Sequence, residues 1–582
     1  MKQLSRRSML LACSLLIIAV CLITYLPVLT HEIMLDDHAF VTPKGIQSFY
    51  SDFRSYFTQA DDQHYIPLYN LMNVALFKQA GSSFFLYLFN LLLFTVDALL
   101  IFFCILSLSQ RMVISLLTSL IFIVHPMSAE MVQHITFNNV LITIALMLAG
   151  LMMLNMFIDR QKKVFYGLSI LCVIVALLFL ETSLSFVFYA AAMLFFLKRK
   201  SIQETLKISA PFIAVNVLFI VLWAVVASHK AHVLESKLLD QGSVIDLAAN
   251  FFHLCVWHVS NLVAPRDVVF MYNTPPLTQG IILWCLGLVM SAGFIAAAAM
   301  YFKRSLESFA LTVFVSGYLI TLPAVITRPE MGYIFEPYWV AFSTIGFFFF
   351  VLLLGARVSV YLPRWFTMST VGVIVILFFV QTQRINAIAS TELSYCENWV
   401  RKTPTNSMPR WVLGEYYHQY ATIPIPKEFH QLIIQIIDDY LKNGQQAKAK
   451  RLIERLSTAE LTPVEHKDLI IRTAVMYYKS GEQIQGQALL EQFFEQMKRP
   501  EHFIELAQVF EKAQVHTIAI DILKHCRARF SGYKEAYLFE GVILGNQDRY
   551  QEAVSVWSQG LTLDPTDQRF IQNIAKAKII RG

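Results

Sequence analysis

The sequence predicts an all-α protein, a polytopic membrane helix bundle of about eleven spans followed by a tetratricopeptide α-solenoid. Three observations carry that reading. A hydrophobic fraction of 56% and a mean hydropathy of +0.53 exceed what a soluble core hides. Long apolar runs with short charged punctuation fill residues 1–385, whereas residues 386–582 have the mixed composition of a soluble helical domain. Beyond residue 400 the sequence becomes self-similar at a period of about 34.

The first apolar run, about Ser8 to Leu29, follows Lys2, Arg6 and Arg7. A signal peptide is the rival reading, but no small-x-small cleavage site follows before His31, so an uncleaved first span is expected. Further spans centre near residues 95, 119, 146, 172, 190, 218, 290, 317, 346 and 374. Basic residues fall in alternate loops: Arg111; Arg160, Lys162 and Lys163; Lys198, Arg199 and Lys200; Lys303 and Arg304; Arg357 and Arg364. The intervening HPMSAE (125–130) and LET (180–182) turns have none. Positive loops stay cytoplasmic, which predicts a multi-pass inner-membrane protein with its N-terminus inside and its repeat domain extracytoplasmic. The net charge of +6 therefore reflects topology rather than nucleic-acid binding.

In the C-terminal part the clearest repeat starts at Lys534, with Tyr537, Gly541, Leu544, Ala553, Trp557, Gly560 and Pro565 at tetratricopeptide spacing. Weaker units start near His430, Lys467 and Pro500, with a half-unit at Arg410 to Tyr417. Stacked helix pairs present a concave surface suited to a polypeptide; a structural cap over the membrane domain is the alternative.

Eight cysteines show neither CxxC pairs nor zinc spacing, and there is no phosphate-binding glycine loop. The ionisable residues gather at the outer ends of the spans. Asp36 and Asp37 lie just beyond the first span, where a carboxylate can take a proton from an acceptor hydroxyl or help hold a divalent cation. Asp61 and Asp62, farther along the same loop, read as solvated. His125 and His134 suit helix ends, and Trp257, His258 and Tyr272 suit an interfacial helix. Glu181, at the end of FLET, is poorly solvated and needs a partner.

Taken in order, HEIMLDDHAFV (31–41), HYIPLYNL (64–71), HPMSAEMVQHITFNN (125–139), ETSLSF (181–186), APRDVVFMY (264–272) and IFEPYWVAFSTIGF (334–347) resemble the GT-C type membrane glycosyltransferases. Within these the chain is similar to the tetratricopeptide-containing protein O-mannosyltransferases and their bacterial relatives. The resemblance covers essentially the whole chain. It implies transfer of a sugar from a polyprenyl-phosphate donor to a protein hydroxyl on the extracytoplasmic face, with Asp36 or Asp37 as catalytic base. By the same resemblance His125, Pro126 and Glu130 match the H-P-x-x-x-E loop, Glu181 the Glu of a Lys-Glu motif, Tyr65, Pro67 and Leu68 an R-P-L motif, and Glu336, Tyr338 and Ser343 a late stretch. Three family cations are missing: Ile66, Leu180 and Pro337 stand in their places. Arg328, Arg266 or His64 is then the expected partner of the lipid phosphate. A non-catalytic scaffold that recruits envelope proteins through the repeats, and a transporter using the intramembrane Asp97, are the other functional classes open to this sequence.

Overall fold

A computed structural model describes residues 6–35, 37–38, 57, 65–80, 82–226, 244–266, 268–269, 271–274, 303–326, 333–404, 406–420 and 422–581. The chain divides into two compact units, Met1–Ser407 and Met408–Gly582. The first unit runs past the 385/386 boundary expected from composition, because helix Glu392–Lys402 packs on it: Trp399 Nε1 donates to the Met271 carbonyl at 2.9 Å.

The first unit contains α1 (Arg6–Tyr25), α2 (Pro67–Ala80), α3 (Ser83–Ser109), α4 (Met112–Val124), α5 (Glu130–Gln133), α6 (Asn138–Arg160), α7 (Lys163–Leu177), α8 (Phe186–Ala192), α9 (Ile202–Val226), α10 (Val244–Val263), α11 (Leu306–Ile326), α12 (Ala341–Val358), α13 (Arg364–Ile388) and α14 (Glu392–Lys402). Strands β1 (Tyr272–Thr274) and β2 (Tyr333–Phe335) pair antiparallel, Tyr272 opposite Phe335. α3 packs against α1, α4 and α6; α7 lies along α6, and α11 along α12. Sequence dictates the helix ends. Gln110 and Gln161 close α3 and α6 in the left-handed conformation, at φ 59° and 55°, and each donates its N–H back to the last turn. On α1, α9 and α13 large apolar side chains such as Leu11, Leu218 and Ile376 stay exposed, a surface compatible with a bilayer.

Among the described residues six helical stretches are long and apolar enough to cross a membrane: Arg6–Thr30, Ser83–Ser109, Ile135–Arg160, Ile202–Val226, Pro337–Tyr361 and Trp365–Ile388. A seventh results if Met112–Val124 and Pro126–Gln133, bent by 67°, are counted together. The expected eleven is therefore too many for the described residues. Pro126 follows the break in the bent pair, and α7, at 15 residues, rises only about 22 Å against a hydrocarbon core of about 30 Å. The span expected near residue 290 lies outside the described residues.

Helix direction sorts the charges. Arg6 Nη2 donates to Gln110 at 3.4 Å, Lys198 pairs with Asp159 at 2.6 Å, Arg304 donates to the Arg199 carbonyl at 2.9 Å, and Arg357 pairs with Glu307 at 2.8 Å. All lie at the end of the unit where α1 and α11 begin and α3, α6 and α12 finish.

The second unit is a series of helix pairs: α15 (Ser407–Gln419), α16 (His430–Lys442), α17 (Gln446–Ser457), α18 (Pro463–Lys479), α19 (Gln483–Gln496), α20 (Pro500–Lys512), α21 (His516–Arg529), α22 (Lys534–Asn546), α23 (Tyr550–Leu563) and α24 (Gln568–Arg581). The pairs begin at His430, Pro463, Pro500 and Lys534, a tetratricopeptide-like spacing; the second starts four residues before the expected Lys467 because Thr462 and Glu465 form a capping box there. Trp557 of α23 lies over Gly541 of α22, its Nε1 donating to the Leu538 carbonyl at 3.1 Å. A Cβ at 541 would stand 2.2 Å from that nitrogen. Gly541→Val is therefore expected to destabilise the repeat unit by about 1–3 kcal/mol. A urea-unfolding midpoint equal to wild type would show that this packing is not needed.

Candidate functional site

The acid-bearing loop is placed by the ends of several helices. α1 runs into a 3-10 turn, Leu26–Thr30, capped by His31, and the chain continues to Leu35. Tyr87 of α3 donates to the Glu32 carbonyl at 2.7 Å. From the other side come Ser390 and Glu392. Glu32 N donates to the Ser390 carbonyl at 3.1 Å, and Glu392 N donates to Glu32 Oε2 at 3.1 Å. Glu392 Oε1 accepts the Leu35 amide at 2.8 Å, and its Oε2 faces His38 Nε2 at 3.2 Å. Leu35 stands at φ 49°, a left-handed conformation that costs a branched residue about 1–2 kcal/mol. A hydrogen bond to a charged acceptor returns about that much. The neighbouring Glu392 carboxylate raises the His38 imidazole pKa above its ordinary value.

Asp36 lies outside the described residues. Asp37 is fully buried. Its Oδ2 accepts Ile135 N at 2.9 Å, and its Oδ1 accepts Thr136 N at 2.9 Å and Thr136 Oγ1 at 2.7 Å. His134 Nδ1 is 4.0 Å from the same carboxylate, and burial lowers the His134 pKa to about 3, which keeps the ring neutral. A carboxylate with at least three of its roughly four acceptor positions filled is a clamp, ill suited to collect a substrate proton. Thr136→Val removes one donor and is expected to cost about 1–2 kcal/mol, read as a lower melting temperature in detergent. A melting temperature equal to wild type would show that the hydroxyl adds nothing.

The 125–137 segment ties in two further expected residues. His125 is a strut: Met127 N donates to its Nδ1 at 3.2 Å, and its Nε2 donates to the Leu262 carbonyl at 3.1 Å, so both nitrogens are engaged by backbone. Glu130 is buried and is an electrostatic neighbour of Glu336, also buried. Glu336 Oε2 accepts the Tyr338 hydroxyl, whose ring lies 4.3 Å from Phe137. Among the described residues no group of three or more His, Cys, Asp or Glu is arranged for a metal ion.

Tyr338 also lines a small pocket with Thr143, Thr182, Ser185, Tyr189 and Ser343, between α6, α8, α11 and α12. Glu181 starts the turn beside it, and its Oε1 accepts Tyr65 N at 2.9 Å, fastening the start of α2. Arg266 is exposed at the end of α10, and its carbonyl accepts Lys402 Nζ at 2.8 Å. Trp257, His258 and Tyr272, expected at the interface, pack inward instead: Trp257 stacks on Tyr272 at 4.2 Å, and His258 Nδ1 meets the Tyr318 hydroxyl at 2.6 Å. His64 and Arg328 lie outside the described residues.

Asp37, Glu130, Glu181 and Glu336, separated by up to 299 positions in the chain, thus belong to one end of the bundle, opposite the basic loops. Glu392 and Lys402 belong there as well, and nothing in their sequence context marks them; Thr136, within the 125–139 stretch, belongs there too. No protein-family model matches the chain, and no curated protein matches it significantly. A solved structure described as "Crystal structure of APC/C hetero-tetramer Cut9-Hcn1" is similar over 93% of this chain and 99% of that chain, at 9% identity and a TM-score of 0.16, too slight a likeness to bear on the fold.

Proposed function

We propose that the chain is a GT-C type glycosyltransferase that moves a sugar from a polyprenyl-phosphate donor to a protein Ser or Thr hydroxyl on the extracytoplasmic face. One observation supports this reading: Asp37, the 130–136 segment and Glu336–Tyr338, from the motifs of the family resemblance, lie at one bundle end. The basic loops at the opposite end favour a cytoplasmic location for that end, and so an outward location for the acids. The chain leaves α13 at the acid end, which favours an outward repeat unit that holds the polypeptide acceptor.

In the reaction, Asp36 takes the proton of the acceptor hydroxyl, whose oxygen bonds to the anomeric carbon as the carbon–phosphate oxygen bond breaks. Configuration inverts, and polyprenyl phosphate departs with its charge met by Arg266 or Arg328. Asp37 holds the loop. The test is reconstitution in liposomes with a labelled polyprenyl-phosphate hexose and a Ser/Thr peptide, beside mass spectrometry of envelope glycoproteins with and without the chain. Label on peptide and a lost glycan are expected; neither appearing would end the assignment.

A second reading, a non-catalytic scaffold, is favoured by Ile66, Leu180 and Pro337 at the three family cation positions. Partners cross-linked to the repeats without any glycan change are its expected signature.

A further inference from the structure

We propose that Glu392 is a positioning residue for the acid-bearing loop, holding Leu35 in its left-handed conformation and thereby fixing the chain immediately before Asp36. This rests on the transferase reading for its consequence in catalysis but on geometry for the clamp itself. Three contacts make the clamp reciprocal. The Glu392 carboxylate receives the Leu35 amide through Oε1 and faces His38 through Oε2, while the Glu392 amide is received by Glu32. The contacts on Leu35 and His38 span more than 350 positions of sequence, so the loop's shape is set by the segment that leads out of the membrane unit rather than by the loop itself. The clamp side chain is mostly shielded, at 14% exposure, while His38 remains open at 46%. A leucine reaches φ 49° only when something outside its own backbone holds it there, and the next residue but one, Asp37, is anchored independently by Ile135 and Thr136. Leu35 and Asp37 are therefore held by different parts of the chain.

The same geometry makes the clamp respond to pH. Among the described residues the charged and titratable groups facing His38 are Glu392 from α14 and Asp37 and Glu32 from its own loop, all acidic. Their field favours imidazolium, so His38 strengthens the clamp while protonated. The sign follows: the contribution is complete below the ordinary histidine pKa and is lost as pH rises through the raised value in the folded protein. The loop should tighten on the acid side of neutrality and loosen above it.

Hydrogen–deuterium exchange of residues 31–38 in the full-length protein tests this without any turnover. Glu392→Ala is expected to speed exchange there at least tenfold, with exchange at 135–136 changed less. Glu392→Gln keeps an oxygen for the Leu35 amide and is expected to retain most protection while losing the pH response, as is His38→Gln. The glutamine variant serves where the alanine variant does not insert. In a transfer assay Glu392→Ala should lower kcat at least tenfold with little change in KM. Adding Leu35→Gly, which adopts positive φ without strain, should recover severalfold of that loss. Unchanged exchange in Glu392→Ala overturns the clamp and leaves the transferase reading intact. Faster exchange with an inactive wild type supports the clamp and counts against the transferase. Faster exchange with no rescue by Leu35→Gly overturns the role assigned to the Leu35 conformation.

Discussion

Asp36→Asn is expected to abolish transfer, by about a hundred- to ten-thousand-fold, while leaving the protein folded; Asp37→Asn is expected to do the reverse first, lowering the yield of folded protein. The asymmetry follows from what each carboxylate has left to offer. Asp37 already receives two backbone amides and one hydroxyl in a site without solvent. An asparagine there keeps one carbonyl oxygen and turns an NH2 toward an N–H donor, leaving a buried amide unmatched. Breaking a buried charge-assisted arrangement costs about 3–5 kcal/mol, a large share of a typical total stability of about 5–15 kcal/mol. Under the proposed transferase reading, Asp36 is then the acid assigned to the substrate hydroxyl. The measurement is label transfer per folded molecule, alongside the monodisperse fraction on size exclusion. Full transfer by Asp36→Asn, or a well-folded but inactive Asp37→Asn, would reverse the two roles.

Local pattern carried the helical class, the change of composition after the membrane unit and the repeat starting at Lys534, because periodicity and turn residues are local properties. Other features were less legible. HPMSAE reads as a plain turn between two spans, yet the chain bends by 67° there and passes through a short second helix. Hydropathy averages over such a break. At the candidate site, the adjacency of Asp36 and Asp37 says nothing of how Asp37 is held, since that depends on the Ile135 and Thr136 amides about a hundred positions away. Glu392 begins an ordinary amphipathic helix in sequence and becomes a clamp only where that helix meets the first loop. Trp257 and His258 looked interfacial because aromatic and imidazole rings suit a membrane boundary. Here Tyr272 and Tyr318 give them partners inside the unit.

Gly317→Ala is expected to disturb the site from a distance, through the contact of α11 with α12. A Cβ at 317 would lie 1.8 Å from Ser343 Oγ and 2.6 Å from Ser343 Cβ. The hydroxyl can swing away, at the expense of its 3.0 Å contact with Tyr189, but the Cβ cannot, so the helices must part. The same pair is already tight at Gly346, where an added Cβ would stand 2.8 Å from the Ala310 carbonyl oxygen. Small residues at both points let the backbones approach, as membrane helices do where apolar burial supplies no drive. Forcing them apart costs about 1–3 kcal/mol and moves the turn before α12, which carries Tyr338 against Glu336. The variant should therefore melt lower and transfer more slowly. Adding Ser343→Gly removes the obstructing side chain and should recover part of both losses, the shortfall reflecting a helix glycine that costs about 0.5–1 kcal/mol. Wild-type melting of the single variant would mean the two helices are not held at this separation. Recovered melting without recovered transfer would place the Ser343 hydroxyl itself, beside Tyr338 in the pocket, among the groups that meet substrate.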